Sequence, residues 1–202
     1  IGGGKFGDKA YYSGLSYEQP YRPLILQGRI IYTEMDPSNN IIFGTRCLDL
    51  YTGEEIWYLD GINIEFAQVF DIENPNEHGL IAHLWSRSGG SSNTTYQLYD
   101  GFTGIPQIQI TNVSRGTTKL GPNGEVLNYG LSRGTLTLWN STKAIFAAFP
   151  WQGTEPGGIY DLTAGRVIDG SAGIEWEVPV DTPGRITLCN LEEGLIVTDN
   201  RD

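Results

Sequence analysis

Oxygen-bearing side chains are concentrated in residues 71–77, which read Asp-Ile-Glu-Asn-Pro-Asn-Glu. Ca²⁺ takes about six to eight oxygen ligands, often from one such loop. The segment lacks the glycine and the ligand spacing of an EF-hand, and Pro75 interrupts it. We therefore expect a solvated hairpin tip, assign no metal ligand, and leave a weak Ca²⁺ site open.

Residues for nucleophilic or zinc-dependent catalysis are sparse. The two histidines, His78 and His83, stand five positions apart, so on a strand they would point to opposite faces. No cysteine lies near them to complete a zinc site, and no Gly-x-Ser-x-Gly elbow supplies a serine nucleophile. Carboxylate pairs for glycoside hydrolysis remain open. The sequence thus favours a non-catalytic protein without a cofactor, and it leaves enzymatic activity open.

Two further sets of residues bear on the cellular location. Cys47 and Cys189 are too few and too far apart for a disulfide framework, so we expect two buried thiols. Three Asn-x-Ser/Thr triplets begin at Asn93, Asn112 and Asn140, each at an expected turn or strand end where a glycan could be accommodated. Together with an acidic, lysine-poor composition, these triplets favour an extracellular or cell-surface protein.

Composition decides the fold class and excludes some partners. The chain has 202 residues, 27 glycines, 10 prolines and a formal net charge of −11. So many turn formers argue against a helical bundle, and the negative charge argues against a nucleic-acid partner. The longest apolar run, residues 144–149, is too short to cross a bilayer. We therefore predict an all-β protein without a transmembrane segment.

The elements that position these residues are short strands that recur. Residues 23–26, 29–34, 44–50 and 55–59 are rich in β-branched and aromatic residues and predict a four-stranded meander. The turn that follows its third strand contains Asp49, Thr52 and Gly53. The same Asp-x-x-Thr-Gly string returns 51 residues later as Asp100, Thr103 and Gly104.

The repeat predicts a single β-propeller segment over residues 1–202. Its blade-like units span about 21–63, 64–112 and 113–181, with a partial unit at 184–202. The third unit is looser, with a long insertion, residues 150–170, before a returning strand that carries Trp176. Repeating units of four short strands are typical of propeller blades, whereas a β-sandwich would not explain the repeated turn. We expect the segment to belong to a larger ring.

The repeat also resembles a known family. Residues 47–57 read Cys-Leu-Asp-Leu-Tyr-Thr-Gly-Glu-Glu-Ile-Trp and are similar to the repeat of pyrroloquinoline-quinone-type (PQQ-like) β-propellers. That repeat has a small residue, then Asp, then Thr-Gly, then a Trp, here Trp57, as the outer strand begins. The second copy has Ile108 in place of the Trp. The third keeps Thr142, has Trp139 where the Asp would stand, and resembles divergent archaeal surface propellers.

The resemblance implies a propeller fold and two possible functions. Family members are either quinoprotein dehydrogenases, which hold the quinone and Ca²⁺ at the centre of the ring, or non-catalytic scaffolds. The dehydrogenases typically carry adjacent cysteines against the quinone, and this chain has none. A scaffold that binds other proteins, or the remaining blades of the same propeller, is therefore favoured. The alternatives are a dehydrogenase fragment with its cofactor ligands elsewhere, and a carbohydrate-binding propeller that uses residues 150–170, including Trp151.

Overall fold

The computed structural model describes residues 23–36, 39, 41–74, 77–90, 94–122, 124–148, 165–181, 184–190 and 193–199, with the backbone alone for 70–81. The chain divides into two compact units. The first unit comprises residues 1–87 and 98–106, and the second comprises 88–97 and 107–202.

The first sheet contains four antiparallel strands in chain order. They are β1 (Leu24–Leu26), β2 (Arg29–Asp36), β3 (Ile41–Asp49) and β4 (Glu55–Asp60). Ile31 pairs with Cys47, and Cys47 pairs with Trp57, so one row of apolar side chains crosses three strands on the same face. All three are buried in one apolar cluster. The predicted four-stranded meander is confirmed.

The second sheet has four antiparallel strands and one addition. They are β5 (Ile64–Asn74), β6 (Glu77–Ser88), β7 (Thr94–Asp100) and β8 (Pro106–Val113). The short β12 (Val167–Asp169) joins parallel to β8, which the sequence pattern did not predict. Residues 71–74 are the paired end of β5, and Glu77 begins β6, so most of the expected tip is strand, while residues 75 and 76 lie outside the described part. The side chains of residues 71–77 lie outside the described part, so the Ca²⁺ hypothesis stays open.

The third sheet is interrupted by an insertion. Its strands are β9 (Thr117–Leu120), β10 (Val126–Ser132), β11 (Thr135–Asn140) and β13 (Ile174–Pro179), in the order β13-β11-β10-β9. The predicted returning strand is confirmed, because β13 pairs antiparallel with β11. Between them lie α1 (Ser141–Ala148), β12 and a 3-10 helix (Gly170–Gly173). The helix α1 was not predicted.

The last element is a hairpin of β14 (Arg185–Asn190) and β15 (Leu195–Asp199). It forms a two-stranded sheet of its own. The all-β prediction is confirmed, and several sheets have four antiparallel strands, although no sheet formed by the described residues closes on itself. Across the described residues, the structure contains no helix of the length and hydrophobicity that a membrane span needs.

Candidate functional site

The Asp49 turn is held by the aspartate side chain. Asp49 Oδ1 accepts hydrogen bonds from the backbone N–H groups of Tyr51 and Thr52, both at 2.8 Å. The Asp49 carbonyl accepts from Gly53 N–H at 2.9 Å, and Gly53 has a φ of 75°. This left-handed conformation favours glycine, so the motif spacing follows from the turn geometry.

The Asp100 turn has the same arrangement. Asp100 Oδ1 accepts from Phe102 N–H at 3.0 Å and from Thr103 N–H at 2.8 Å, and the Thr103 hydroxyl lies 2.9 Å away. Gly104 has a φ of 72° and donates its N–H to the Asp100 carbonyl. The two copies of the motif are therefore two instances of one local structure.

Hydrogen bonding from the backbone favours the ionised form of the aspartate. The N–H groups of Thr52 and then Tyr51 lower the pKa of Asp49 below its ordinary value. A lowered pKa in the folded state means that ionised Asp49 contributes stability above the pKa of the unfolded chain. That contribution is lost as the pH falls through the folded-state pKa.

We therefore expect acid to destabilise the wild type more than the Asp49→Asn variant. Asparagine keeps the Oδ1 acceptor but does not titrate, so the variant lacks this source of pH dependence. Urea unfolding at about pH 7 and about pH 3 measures the difference. Asp60→Asn is the matched control, because the Asp60 side chain makes no hydrogen bond to the described residues. Equal acid sensitivity in wild type and Asp49→Asn would contradict the assignment.

The third copy of the turn begins one residue later than the sequence comparison placed it. Asn140 Oδ1 accepts from the N–H groups of Thr142 at 2.8 Å and Lys143 at 3.3 Å, as Asp49 does in its turn. Asn140, rather than Trp139, thus stands at the Asp position, and Thr142 precedes the Thr position. No glycine follows at the position of Gly53, so the chain continues into α1 with Asn140 as its cap.

Strand register supports the same alignment. Trp57 pairs with Cys47, two residues before Asp49. Trp176 pairs with Leu138, two residues before Asn140. The two tryptophans therefore occupy equivalent positions on the fourth strands of their sheets.

The two equivalent tryptophans differ in how they are covered. Trp57 is 9% exposed, and the Gly104 turn lies directly over it. A Cβ built on Gly104 would lie 2.9 Å from Trp57 Cδ2, so only glycine allows this approach. Trp176 is 37% exposed and meets the Tyr129 ring edge-on, with the ring centroids 6.4 Å apart.

Trp139 has a separate structural role. It is fully buried, and its Nε1–H donates to the Gly170 carbonyl at 2.6 Å. Its ring lies 6.0 Å from that of Tyr96. The hydrogen bond ties β11 to the 3-10 helix of the insertion.

The predicted glycosylation sites lie in different settings. Asn112 is exposed near the end of β8, and its Nδ2 donates to Asp169 at 3.2 Å. Asn140 Nδ2 donates to Glu175 at 3.1 Å while its Oδ1 caps α1. Asn93 lies outside the described residues, as do most of residues 150–170, including Trp151.

The candidates for metal and thiol chemistry remain apart. Cys47 and Cys189 are both buried and free, as expected, and burial raises the pKa of the Cys47 thiol to about 11. His83 is buried in the second sheet, and the side chain of His78 is not described. In the described part of the chain, no three His, Cys, Asp or Glu residues gather as a metal site would require.

Sequence reasoning missed a buried polar network in the second unit. Asn128 is 1% exposed, and its Oδ1 accepts from the Thr118 hydroxyl at 2.9 Å. Its Nδ2 donates to the Ser114 carbonyl at 3.0 Å and to the Tyr96 hydroxyl at 3.2 Å. An asparagine within an apolar strand is the signal that could have identified it, because strands are depleted in this residue.

The hairpin of β14 and β15 carries an exposed apolar face. Leu188 pairs with Val197, and Leu195 pairs with Asn190, so these side chains share one face. Leu188, Leu195 and Val197 are 50%, 44% and 39% exposed. We call these three residues the hairpin face. No third strand pairs with the hairpin in the described part of the chain.

No model of a known protein family matches this chain. No match was found among the curated proteins either.

Proposed function

We propose that the chain is part of a β-propeller and acts as a non-catalytic scaffold for protein interaction, secreted or on the cell surface. In the first two sheets four strands follow one another along the chain, and in the third the last of four strands, β13, comes after the insertion. In each of them the third strand ends in a side-chain cap, at Asp49, Asp100 and Asn140. Such a repeat is what consecutive blades would have.

The observation that carries the proposal is the contact between Trp57 and Gly104. It joins the fourth strand of the first sheet to the turn of the sheet that follows. A four-stranded sheet buries both faces only by stacking against neighbours, and this contact is such a stacking point. Trp176, at the equivalent position of the third sheet, is 37% exposed. This exposure fits a blade that is followed along the chain by a sheet of only two strands, β14 and β15.

The hairpin face is the proposed interaction surface. A two-stranded hairpin is marginally stable by itself, and unpaired strand edges accept further strands. The partner is therefore an extended polypeptide segment that pairs with the backbone at the edge of β14 or β15 and places apolar side chains beside the hairpin face. It is supplied by another protein or by the remaining blades of the same propeller.

Site-specific cross-linking in the native cells tests this surface. A photoreactive residue replaces Leu188, and the cross-linked peptides are identified by mass spectrometry. The control position is Ile105, which is similarly apolar and 55% exposed but lies in the turn after β7. We expect one defined β-strand segment to be captured from position 188 and not from position 105. Leu188→Lys should abolish the association.

Two results would overturn the proposal. The first is capture from position 188 that matches the control, together with an unchanged association in Leu188→Lys. The second is tight, specific binding of pyrroloquinoline quinone with turnover of alcohols or sugars. That result would make the protein a quinoprotein dehydrogenase instead.

A further inference from the structure

An open cavity of about 520 Å³ lies wholly within the second unit. It is lined by the segment that leads into β9, by the second half of β10 and by the start of β14. Its volume falls within the range of sites that hold small organic molecules, about 300–1,000 Å³. No sequence pattern indicated this cavity.

Two arginines line the cavity, and both are exposed. Arg115 and Arg185 both line it, and neither guanidinium has an ion pair or hydrogen bond within the described residues. Elsewhere Arg46 pairs with Glu34 and Arg87 pairs with Glu65. Asp199 pairs with Arg185 across the hairpin, but no ion pair joins them, so both guanidiniums are available to an anionic ligand.

The remaining polar groups of the cavity are mainly hydroxyls. Ser114, Thr117, Ser132 and Thr137 contribute to the lining, and no carboxylate is among the described lining residues. A hydroxyl both donates and accepts hydrogen bonds, so such a set can match the hydroxyls of a sugar. Thr137 also contacts Glu177 at 3.5 Å, which places one carboxylate beside the cavity.

Backbone packing places Arg115 beside β10. A Cβ on Gly130 would lie 2.5 Å from the Arg115 carbonyl oxygen, and a Cβ on Gly116 would collide with the Tyr129 backbone. Glycine at both positions lets the two chain segments touch, which no other residue would allow. The backbone that carries Arg115 is therefore held at the cavity in the absence of a ligand.

We propose that this cavity binds a sugar acid, a monosaccharide or disaccharide that carries a carboxylate. Arg115 and Arg185 bind the carboxylate, because a guanidinium matches a carboxylate with two parallel hydrogen bonds. The hydroxyl-bearing residues bind the sugar hydroxyls. The part of the cavity that Tyr129 lines contacts the sugar ring. This binding site goes beyond the scaffold function: it shares β14 through Arg185 but uses no residue of the hairpin face.

Titration of the isotope-labelled chain with D-galacturonate, followed by NMR, tests the proposal. We expect saturable shifts at residues 115, 129–132 and 185–186. D-Galactose, which lacks the carboxylate, should bind at least about tenfold more weakly. Arg115→Gln and Arg185→Gln should each weaken galacturonate binding by about tenfold or more, because each removes a charge-assisted hydrogen bond.

Arg133→Asn is the matched control. It removes the same charge from the β10–β11 turn, outside the cavity lining, and asparagine tolerates the positive φ of 49° found there. Its affinity for galacturonate should equal that of the wild type. Thermal melting of all three variants checks that each is folded.

Three outcomes with the sugars and variants would overturn the proposal, and a fourth concerns phosphate. The three are no saturable shift with galacturonate, equal affinity for galactose, and equal loss of affinity in Arg133→Asn. Inorganic phosphate separates sugar recognition from anion binding. If phosphate binds as tightly as galacturonate, the cavity is a simple oxyanion site and the sugar-acid assignment is wrong.

Discussion

Trp139→Ala is expected to lower the free energy of unfolding by about 3–5 kcal/mol. Trp139 is completely buried, packs near Tyr96 and fills the space between β11 and the 3-10 helix. The truncation leaves a cavity in a core that relaxes only in part. It also removes the donor to the Gly170 carbonyl, and a buried acceptor without a partner costs about 1–3 kcal/mol.

Trp139→Phe separates the two contributions. Phenylalanine keeps much of the apolar volume but lacks the N–H group, so its main loss is the bond to the Gly170 carbonyl. We expect Trp139→Phe to cost less than Trp139→Ala but more than about 1 kcal/mol. Urea unfolding at neutral pH measures both variants. A loss below about 1 kcal/mol for Trp139→Ala would show that β11 and the insertion do not pack as described.

Trp57→Ala is also expected to lower the free energy of unfolding by about 3–5 kcal/mol. Trp57 belongs to the apolar cluster of the first unit and lies under the Gly104 turn. Its removal takes away the surface on which that turn packs, so the contact between β4 and the turn after β7 is weakened. The loss should appear as a lower urea midpoint with an unchanged slope.

Two variants serve as controls for Trp57→Ala. Trp57→Phe should cost less than Trp139→Phe, because Trp57 Nε1–H has no acceptor among the described residues, whereas Trp139 has one. Ile56→Ala changes the neighbouring side chain, which is 41% exposed, and should cost no more than about 1 kcal/mol. If Trp57→Ala is as mild as Ile56→Ala, the packing of the Gly104 turn on Trp57 contributes little to stability.

The Asp turns were predictable because their causes are local. Asp49 and Gly53 are four residues apart, and the side-chain cap and the positive φ depend only on the residues between them. The same holds for Asp100 and Gly104. The strands were predictable for a similar reason, since their apolar and β-branched runs are read over a few neighbouring positions.

The third repeat shows where the local pattern misled the alignment. Matching Thr142 to the motif placed Trp139 at the Asp position, but strand pairing puts Asn140 there. Asparagine can make the same cap as aspartate, and without a glycine after it the turn extends into a helix. Asn140 is visible in the sequence, but only the pairing of β11 with β13 shows that it stands where the other turns have Asp.

The sequence alone determined the all-β class, the capped turns and most of the strands, because these follow from interactions between neighbouring residues. The tertiary structure decided what distant residues do together. Only folding brings Val167–Asp169 alongside β8, places Asn128 against Tyr96, and sets Arg115 and Arg185 at one cavity 70 positions apart in the chain. Such contacts depend on the packing of whole sheets, so a local pattern of residue types does not predict them.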